Sequence, residues 1–257
     1  MEIAIGFAAH RVAGHAFRNV DPVGEHREAI AQVGQDTILT QCLETGAEEF
    51  CSLINRDARG SLWLTSAGFI VDTTQNIGAL STRGIDIGAA YTMDLAGFGN
   101  LGFNFQGTWL DELIVDDGVS EPYDCTGLYG NQCLTPNPEW RHTARVTWTH
   151  PDGYGATLRW RHFSSVDQDT TSDNPTLSGP SQPAHRTYPA VNYLDLALNF
   201  RVSDNYAFRL GVNNLLDRDP PLSGSQACPT GPCNGNTYAQ VYDALGRYIF
   251  AGVTLDF

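Results

Sequence analysis

The residues whose types and spacing could do chemistry begin with six cysteines. They fall in three close pairs, Cys42/Cys51, Cys125/Cys133 and Cys228/Cys233. None has the C-x-x-C spacing of a zinc ribbon or a thioredoxin-like redox site. Sequence leaves the connectivity open, since six cysteines can pair in many ways. Proximity favours three local disulfides, which imply an oxidising compartment. The alternative is six scattered buried thiols.

A second candidate is Gly97-Phe-Gly99-Asn-Leu-Gly102, a literal G-x-G-x-x-G with Asp116 about 20 residues on. Dinucleotide binding needs a strand before and a helix after that loop. Here the following residues alternate with period two, so the glycines are read as a turn and a strand wall. No G-x-S-x-G is present for a serine hydrolase. His10, His15 and His26 are not at a metal-ligand spacing. His142, His150, His162 and His185 have no serine or cysteine at a telling distance. No catalytic residue, cofactor site or metal site is expected.

Five arginines remain: Arg145, Arg159, Arg161, Arg201 and Arg209. What positions them is a series of alternating segments. Ile85, Ile87, Ala89, Tyr91 and Met93 alternate with Asp86, Gly88, Ala90, Thr92 and Asp94. Leu101, Phe103, Phe105 and Trp109 alternate with Gly102, Asn104, Gln106 and Thr108. Ala144, Val146 and Trp148 follow, then Ala156, Leu158 and Trp160 after a Pro151-Asp152-Gly153 turn. Leu194, Leu196, Leu198 and Phe200 come next, then Tyr206, Phe208, Leu210 and Val212. In the last segment Ile249, Ala251, Val253, Leu255 and Phe257 share one face, with Gly252, Thr254 and Asp256 opposite. Successive strand side chains point to opposite faces, so each strand has an apolar face and a polar one. Every one of the five arginines falls on the polar face.

After Asp94 the connections run short, long, short, long, short, long. The long ones span about Asp116–Glu139, Asp167–Pro189 and Asp217–Tyr242. Membrane barrels have short periplasmic turns and long external loops. A soluble sandwich has no reason to sort its loops in this way. All three cysteine pairs fall on the long-loop side, if one strand descends from the first pair through Ile85–Asp94. The carboxyl end then lies on the short-turn side.

The chain has 257 residues, 26 of them glycine, and a net charge of −14. That charge argues against nucleic acid as a partner. No apolar run reaches about 18 residues, so no helix is expected to span a membrane; a barrel is not thereby excluded. Met1 is followed by Glu2 rather than a basic segment, so no signal peptide is read. Residues 1–28 read as either one strand or a weak helix and are left unassigned. Ala29–Gly60 reads as a polar loop, and Ser61–Thr74 as a short hairpin.

Val212–Pro221 (VNNLLDRDPP), a loop, and then GRYIFAGVTLDF resemble the C-terminal end of TonB-dependent outer-membrane receptors. Asn76-Ile-Gly with Thr82-Arg-Gly84-Ile-Asp86 is similar to a descending strand of that family. Tyr123–Cys133 with Glu139–His142 is similar to one of its disulfide-bearing external loops. Gly252, Leu255 and Phe257 resemble the signal that barrel-assembly machinery reads, although Ala251 stands where a polar residue is usual. The resemblance covers residues 29–257. It implies an all-β fold, about seven or eight antiparallel strands of a barrel of roughly 22 strands, in the Gram-negative outer membrane. It implies nutrient uptake energised by TonB through a plug domain that this stretch does not contain. The chain is therefore expected to be a fragment of a longer receptor. Siderophore, cobalamin and carbohydrate are the cargo classes implied, and the ligand is not readable. Implied partners are outer-membrane lipid and lipopolysaccharide, the assembly machinery, and TonB only by way of the plug.

Placed in such a wall, the five arginines face the lumen. On the lipid side each would cost about 2–4 kcal/mol at the midplane. They either attract an anionic ligand, brace acids of the plug, or merely solvate the wall and pair with Asp86 or Asp195. Asp116, Asp117, Glu121, Asp124, Asp217 and Asp219 are read as solvated loop tips. Trp109, Trp148, Trp160, Tyr91 and Tyr193 are read as interfacial aromatics. Two other readings are a passive porin and a secreted β-sandwich that binds carbohydrate.

Overall fold

The computed structural model describes residues 3–13, 27–32, 35–72, 74–116, 120–181, 186–203, 205–224, 233 and 236–255. In chain order the strands are β1 (Ile3–Ala13), β2 (Arg27–Gln32), β3 (Ile54–Asn55), β4 (Phe69–Ile70), β5 (Thr74–Asp94), β6 (Asn100–Asp116), β7 (Tyr123–Asp124), β8 (Leu128–Tyr129), β9 (Trp140–Thr149), β10 (Tyr154–Phe163), β11 (Val166–Gln168), β12 (Thr187–Tyr188), β13 (Val191–Ser203), β14 (Tyr206–Asn213) and β15 (Tyr248–Leu255). The helices are α1 (Gln35–Thr45) and α2 (Glu48–Cys51). No described helix is long and apolar enough to cross a membrane.

The main sheet runs β1-β5-β6-β9-β10-β13-β14-β15, with β2 pairing β5 and β7 pairing β6 off this path. Within the main sheet, successive strands are spatial neighbours from β9 onward, and those pairs are antiparallel. For β9–β10 and β13–β14 this follows from connection length, since a tight turn admits only an antiparallel pair. The path leaves β1 and β15 at its two edges, so the sheet is open.

The chain divides into two compact units: Met1–Arg11, Thr82–Leu113 and Asp124–Phe257 in one, Val12–Ser81 and Ile114–Tyr123 in the other. In the second, the stretch expected to be a polar loop is partly helical. α1 and α2 are joined by the Cys42–Cys51 disulfide. Ile38 is buried, but α2 is a single turn without a side-chain cap. Such short helices carry too few apolar positions to show a 3.6-residue period. The two-residue strands β3 and β4 pair with each other. Between them the Asp57 carboxylate accepts from the Arg59 and Ser61 amides and the Thr65 hydroxyl. The bond from Ser61 is the main force holding its carboxyl below the usual range.

In the first unit the strand registers align the two faces. One apolar row runs Phe103, Val146, Leu158, Leu196, Val212, Ile249 across six strands. A second runs Leu101, Trp148, Ala156, Leu198, Leu210, Ala251. Phe103, Leu158, Leu210, Ile249 and Val253 are exposed and covered by none of the described residues. A face this apolar and this bare is suited to lipid.

Aromatic rings gather at both ends of that face. Trp148 donates to the Phe98 carbonyl at the short-turn end. At the other end Trp140 donates to His142 Nδ1, and Trp160 donates to Asn192. Trp140 and Trp148 are about 27 Å apart along β9, the scale of a barrel's apolar band. Rings with one polar atom satisfied and the rest apolar belong at such boundaries. Tyr193 differs from this pattern: it sits fully buried on the other face, opposite Arg161.

The opposite face carries the arginines and one aromatic floor. Phe250 lies flat over Gly211, where an added Cβ would come within 2.2 Å of the ring. Glycine is thus required for close approach at this position. Gly211→Val is expected to displace Phe250 and destabilise the β14–β15 pair by about 1–3 kcal/mol. A denaturant titration that follows the membrane-inserted form on gels would measure the loss.

Candidate functional site

Three long loops do not wave free at the end of the sheet. Residue Tyr129 from the first, Val166 and Tyr188 from the second, and Tyr238 and Tyr242 from the third bury one another, with Val191 and Tyr193 of β13 beneath. Tyr129 and Tyr188 stack at 4.0 Å between centroids, and Tyr238 meets Tyr129 edge-on. The first two loops also share a small sheet, β12-β11-β8. Aromatic residues in otherwise polar loops signal burial, because ring area this large is costly to leave in water.

The Cys125–Cys133 disulfide closes the tip of the first loop. Its backbone then wraps a buried carboxylate from the second: Asp169 accepts from the amides of Gln132 and Cys133, and from that of its own neighbour Thr170. Gly130 lies directly against that carboxylate; any Cβ there would overlap it. A buried charge held by several amides is compensated rather than orphaned. Cys42–Cys51 lies in the helical segment, Cys233 is disulfide-bonded, and Cys228 lies outside the described residues.

Under the tyrosines sits an ion-pair cluster on the polar face. The register puts Arg159 directly opposite Asp195, and Arg161 opposite Tyr193. Asp195 receives Arg159 Nε at 2.7 Å and Arg161 Nε at 2.9 Å. It also accepts the Asn214 amide at 2.8 Å. Arg161 reaches onward to both carboxylate oxygens of Asp243, in the third loop. The Asp243 amide donates to the Tyr193 hydroxyl, and the Arg161 guanidinium lies 4.9 Å from the Tyr193 ring centre. Asp195 is 6% exposed and Arg161 18%, so solvent screens this network weakly. It fastens the third loop to the wall.

Among the arginines singled out from the sequence, only Arg159 and Arg161 are brought together with Asp195. Arg145, Arg201 and Arg209 are exposed on the same face. The Arg209 guanidinium lies 5.3 Å from the Phe250 ring centre. Two acids read as solvated tips have structural work. Asp124 accepts the Leu113 and Thr126 amides, and Asp217 accepts the Arg247 amide.

The VNNLLD segment now has a physical reading. Asn214 is fully buried at φ +52°, a conformation that asparagine tolerates. Its side chain bonds Arg218 in both directions and closes the turn. Three residues on, Asp217 takes the Arg247 amide, while Arg247 Nε donates to the Leu215 carbonyl. The turn after β14 and the Gly-Arg before β15 thus hold each other. Sequence reading missed Asp243 and the tyrosine cluster. The concentration of tyrosine in loops was the available signal.

Burial pushes the hydroxyls of Tyr129, Tyr238 and Tyr242 well above the usual tyrosine range and raises that of Tyr188. The folded loops therefore hold protons that the unfolded chain releases near pH 10. Their stabilisation is complete below that pH and is lost as pH rises through the folded values. Ultraviolet titration should show these tyrosines ionising only in strong alkali, together with protease cleavage of the loops. Ionisation near pH 10 with the loops intact would contradict the packing.

Comparison with known proteins adds to this geometry. A search of curated proteins finds none that matches. Among solved structures, a mutant of the ferric enterobactin receptor PfeA from Pseudomonas aeruginosa is 14% identical, with a TM-score of 0.49. The match covers 74% of this chain and 24% of that one. The siderophore receptor PirA from Acinetobacter baumannii gives 14% and 0.48, over 79% and 25% of the two chains. The ferric-catecholate import receptor Fiu from Escherichia coli K12 gives 14% and 0.45, over 79% and 23%. The chain spans about a quarter of the length of these receptors. Residues 35–215 match the family described as TonB dependent receptor-like, beta-barrel. This chain belongs to the TonB-dependent receptor β-barrel family, a family of Gram-negative outer-membrane receptors and transporters rather than of enzymes.

Proposed function

We propose that this chain supplies wall and external loops to an outer-membrane receptor that imports a scarce nutrient with energy delivered through TonB. The observation that carries the reading is the two-faced wall. One face is bare and apolar between aromatic belts, the other holds the arginines, and the long loops cluster on one side. Residues 29–257 would form the C-terminal part of the barrel, whose further strands pair with the open edges. Unpaired edges in lipid cost several kcal/mol per backbone group. Gly252 and Leu255 on β15, with Phe257, would be read by the assembly machinery. Lipid and lipopolysaccharide would contact the apolar face. An iron chelate such as a siderophore is the proposed cargo class, with cobalamin and carbohydrate as alternatives. No catalysis is proposed for the chain.

The test is uptake of a radiolabelled ferric chelate by iron-starved cells with the gene intact, with the gene disrupted, and with TonB removed. Uptake should fall equally in both mutants. Uptake that needs the gene but not TonB would favour a passive pore instead.

A further inference from the structure

We propose that Arg145, Arg159 and Arg209 form a binding site for a carboxylate or phosphate group on the arginine-bearing face. The inference rests on the receptor reading, since only a water-lined lumen would bring an anion to this face. The three guanidiniums, with Asn199, Asn213 and Phe250, line a hollow of about 270 Å³. Arg145 and Arg159 stand directly opposite each other in the β9–β10 register. Like charges in that position repel and weaken the pair. Asp195 also lines the hollow, but it is already shared among Arg159, Arg161 and the Asn214 amide. Arg145 and Arg209 make no ion pair among the described residues. The hollow therefore has three cations against one carboxylate already in use.

The chemistry of its walls selects the guest. A guanidinium presents a planar fork of donors that matches a carboxylate or phosphate in two parallel bonds. The Phe250 ring gives Arg209 a surface to lie against, and such stacking leaves the N–H edge for an acceptor. Gly211 is what lets that ring lie flat. Asn199 stands opposite Arg209 in the register and offers a neutral amide. An anion here would relieve the Arg145–Arg159 repulsion and bridge β9, β10 and β14. The same group could come from a carboxylate of the family's lumen-filling domain or from the cargo itself.

The complete barrel to which this chain contributes, with its further strands closing the open edges, is titrated calorimetrically in detergent micelles with citrate and with inorganic phosphate. Binding is expected, and Arg145→Gln and Arg209→Gln should each weaken it about tenfold. Arg201→Gln, on the same face outside the hollow, should leave it unchanged. A flat titration of the unaltered chain, or equal loss in Arg201→Gln, overturns the site. A fluorophore on Thr149→Cys in brominated lipid separates the two levels. If it is quenched, the face is not a lumen and the receptor reading falls as well; if unquenched with no anion bound, only the site falls. In cells producing the receptor, the arginine variants distinguish the source. Raised entry of a large antibiotic means that the anion belongs to the lumen-filling domain. A raised KM for uptake without such entry means that it belongs to the cargo. No change in either overturns the site.

Discussion

Leu196→Arg is expected to abolish insertion into the membrane, while Asn199→Arg on the same strand is tolerated. Leu196 lies between Leu158 of β10 and Val212 of β14, in the middle of the bare apolar row. A cation there costs about 2–4 kcal/mol at the membrane midplane. That lowers the inserted fraction at equilibrium by roughly thirty- to a thousandfold. Asn199 points the other way, between Gly155 and Arg209. An arginine at 199 adds one more charge to a face that already carries five, in water that screens the repulsion. The two variants differ by three residues in position and not at all in the residue introduced, so the contrast isolates the face. Gel mobility of heated against unheated membrane samples reads insertion. Equal loss in both variants would remove the assignment of faces.

Asp195→Ala should destabilise the loop end of the wall by about 3–5 kcal/mol. The substitution removes the partner of Arg159, one of the two carboxylates that hold Arg161, and the acceptor of the Asn214 amide. Arg161 keeps Asp243 but loses the bonds that fix it to the wall, and with it the third loop is held less firmly. Cleavage between Thr237 and Arg247 by added protease should rise sharply, while strand cleavage should not. Replacing Asp195, Arg159, Arg161 and Asp243 together by apolar residues should recover part of the loss, because no charge of the cluster is then left without a partner. The pair of Arg83 with Asp111 and Glu112 is the control. Those side chains are 32–44% exposed, so Arg83→Ala should leave stability nearly unchanged. Equal effects at the two places would mean that burial of the Asp195 cluster contributes nothing.

The wall was legible because a strand repeats every two residues and lipid tolerates only one kind of face. Leu194 to Phe200 declares its apolar side in four residues, and β13 begins and ends close to that run. The turns were legible for the same reason: Pro151-Asp152-Gly153 can do little else. Residues 35–51 were not legible as helices, since α1 and α2 are short and carry few apolar positions. The loop cluster was hidden because its partners lie far apart in sequence. Arg161 and Asp243 are 82 residues apart, and Tyr129 meets Tyr238 across two intervening hairpins. No local period records such contacts. The motif VNNLLD was recognisable by resemblance, yet its cause needed coordinates: Asn214 ends β14 in a left-handed turn, and Asp217 waits for Arg247.

The most direct measurement is a nitroxide scan of β13 from Leu194 to Arg201, with the complete receptor in lipid bilayers. Collision with oxygen, which concentrates in lipid, is compared with collision with a water-soluble nickel chelate. Oxygen contact should peak at 194, 196, 198 and 200, and nickel contact at 195, 197, 199 and 201, with 195 muted by the loops above it. If both reagents rise and fall together, or neither reaches either face, this strand does not separate lipid from water.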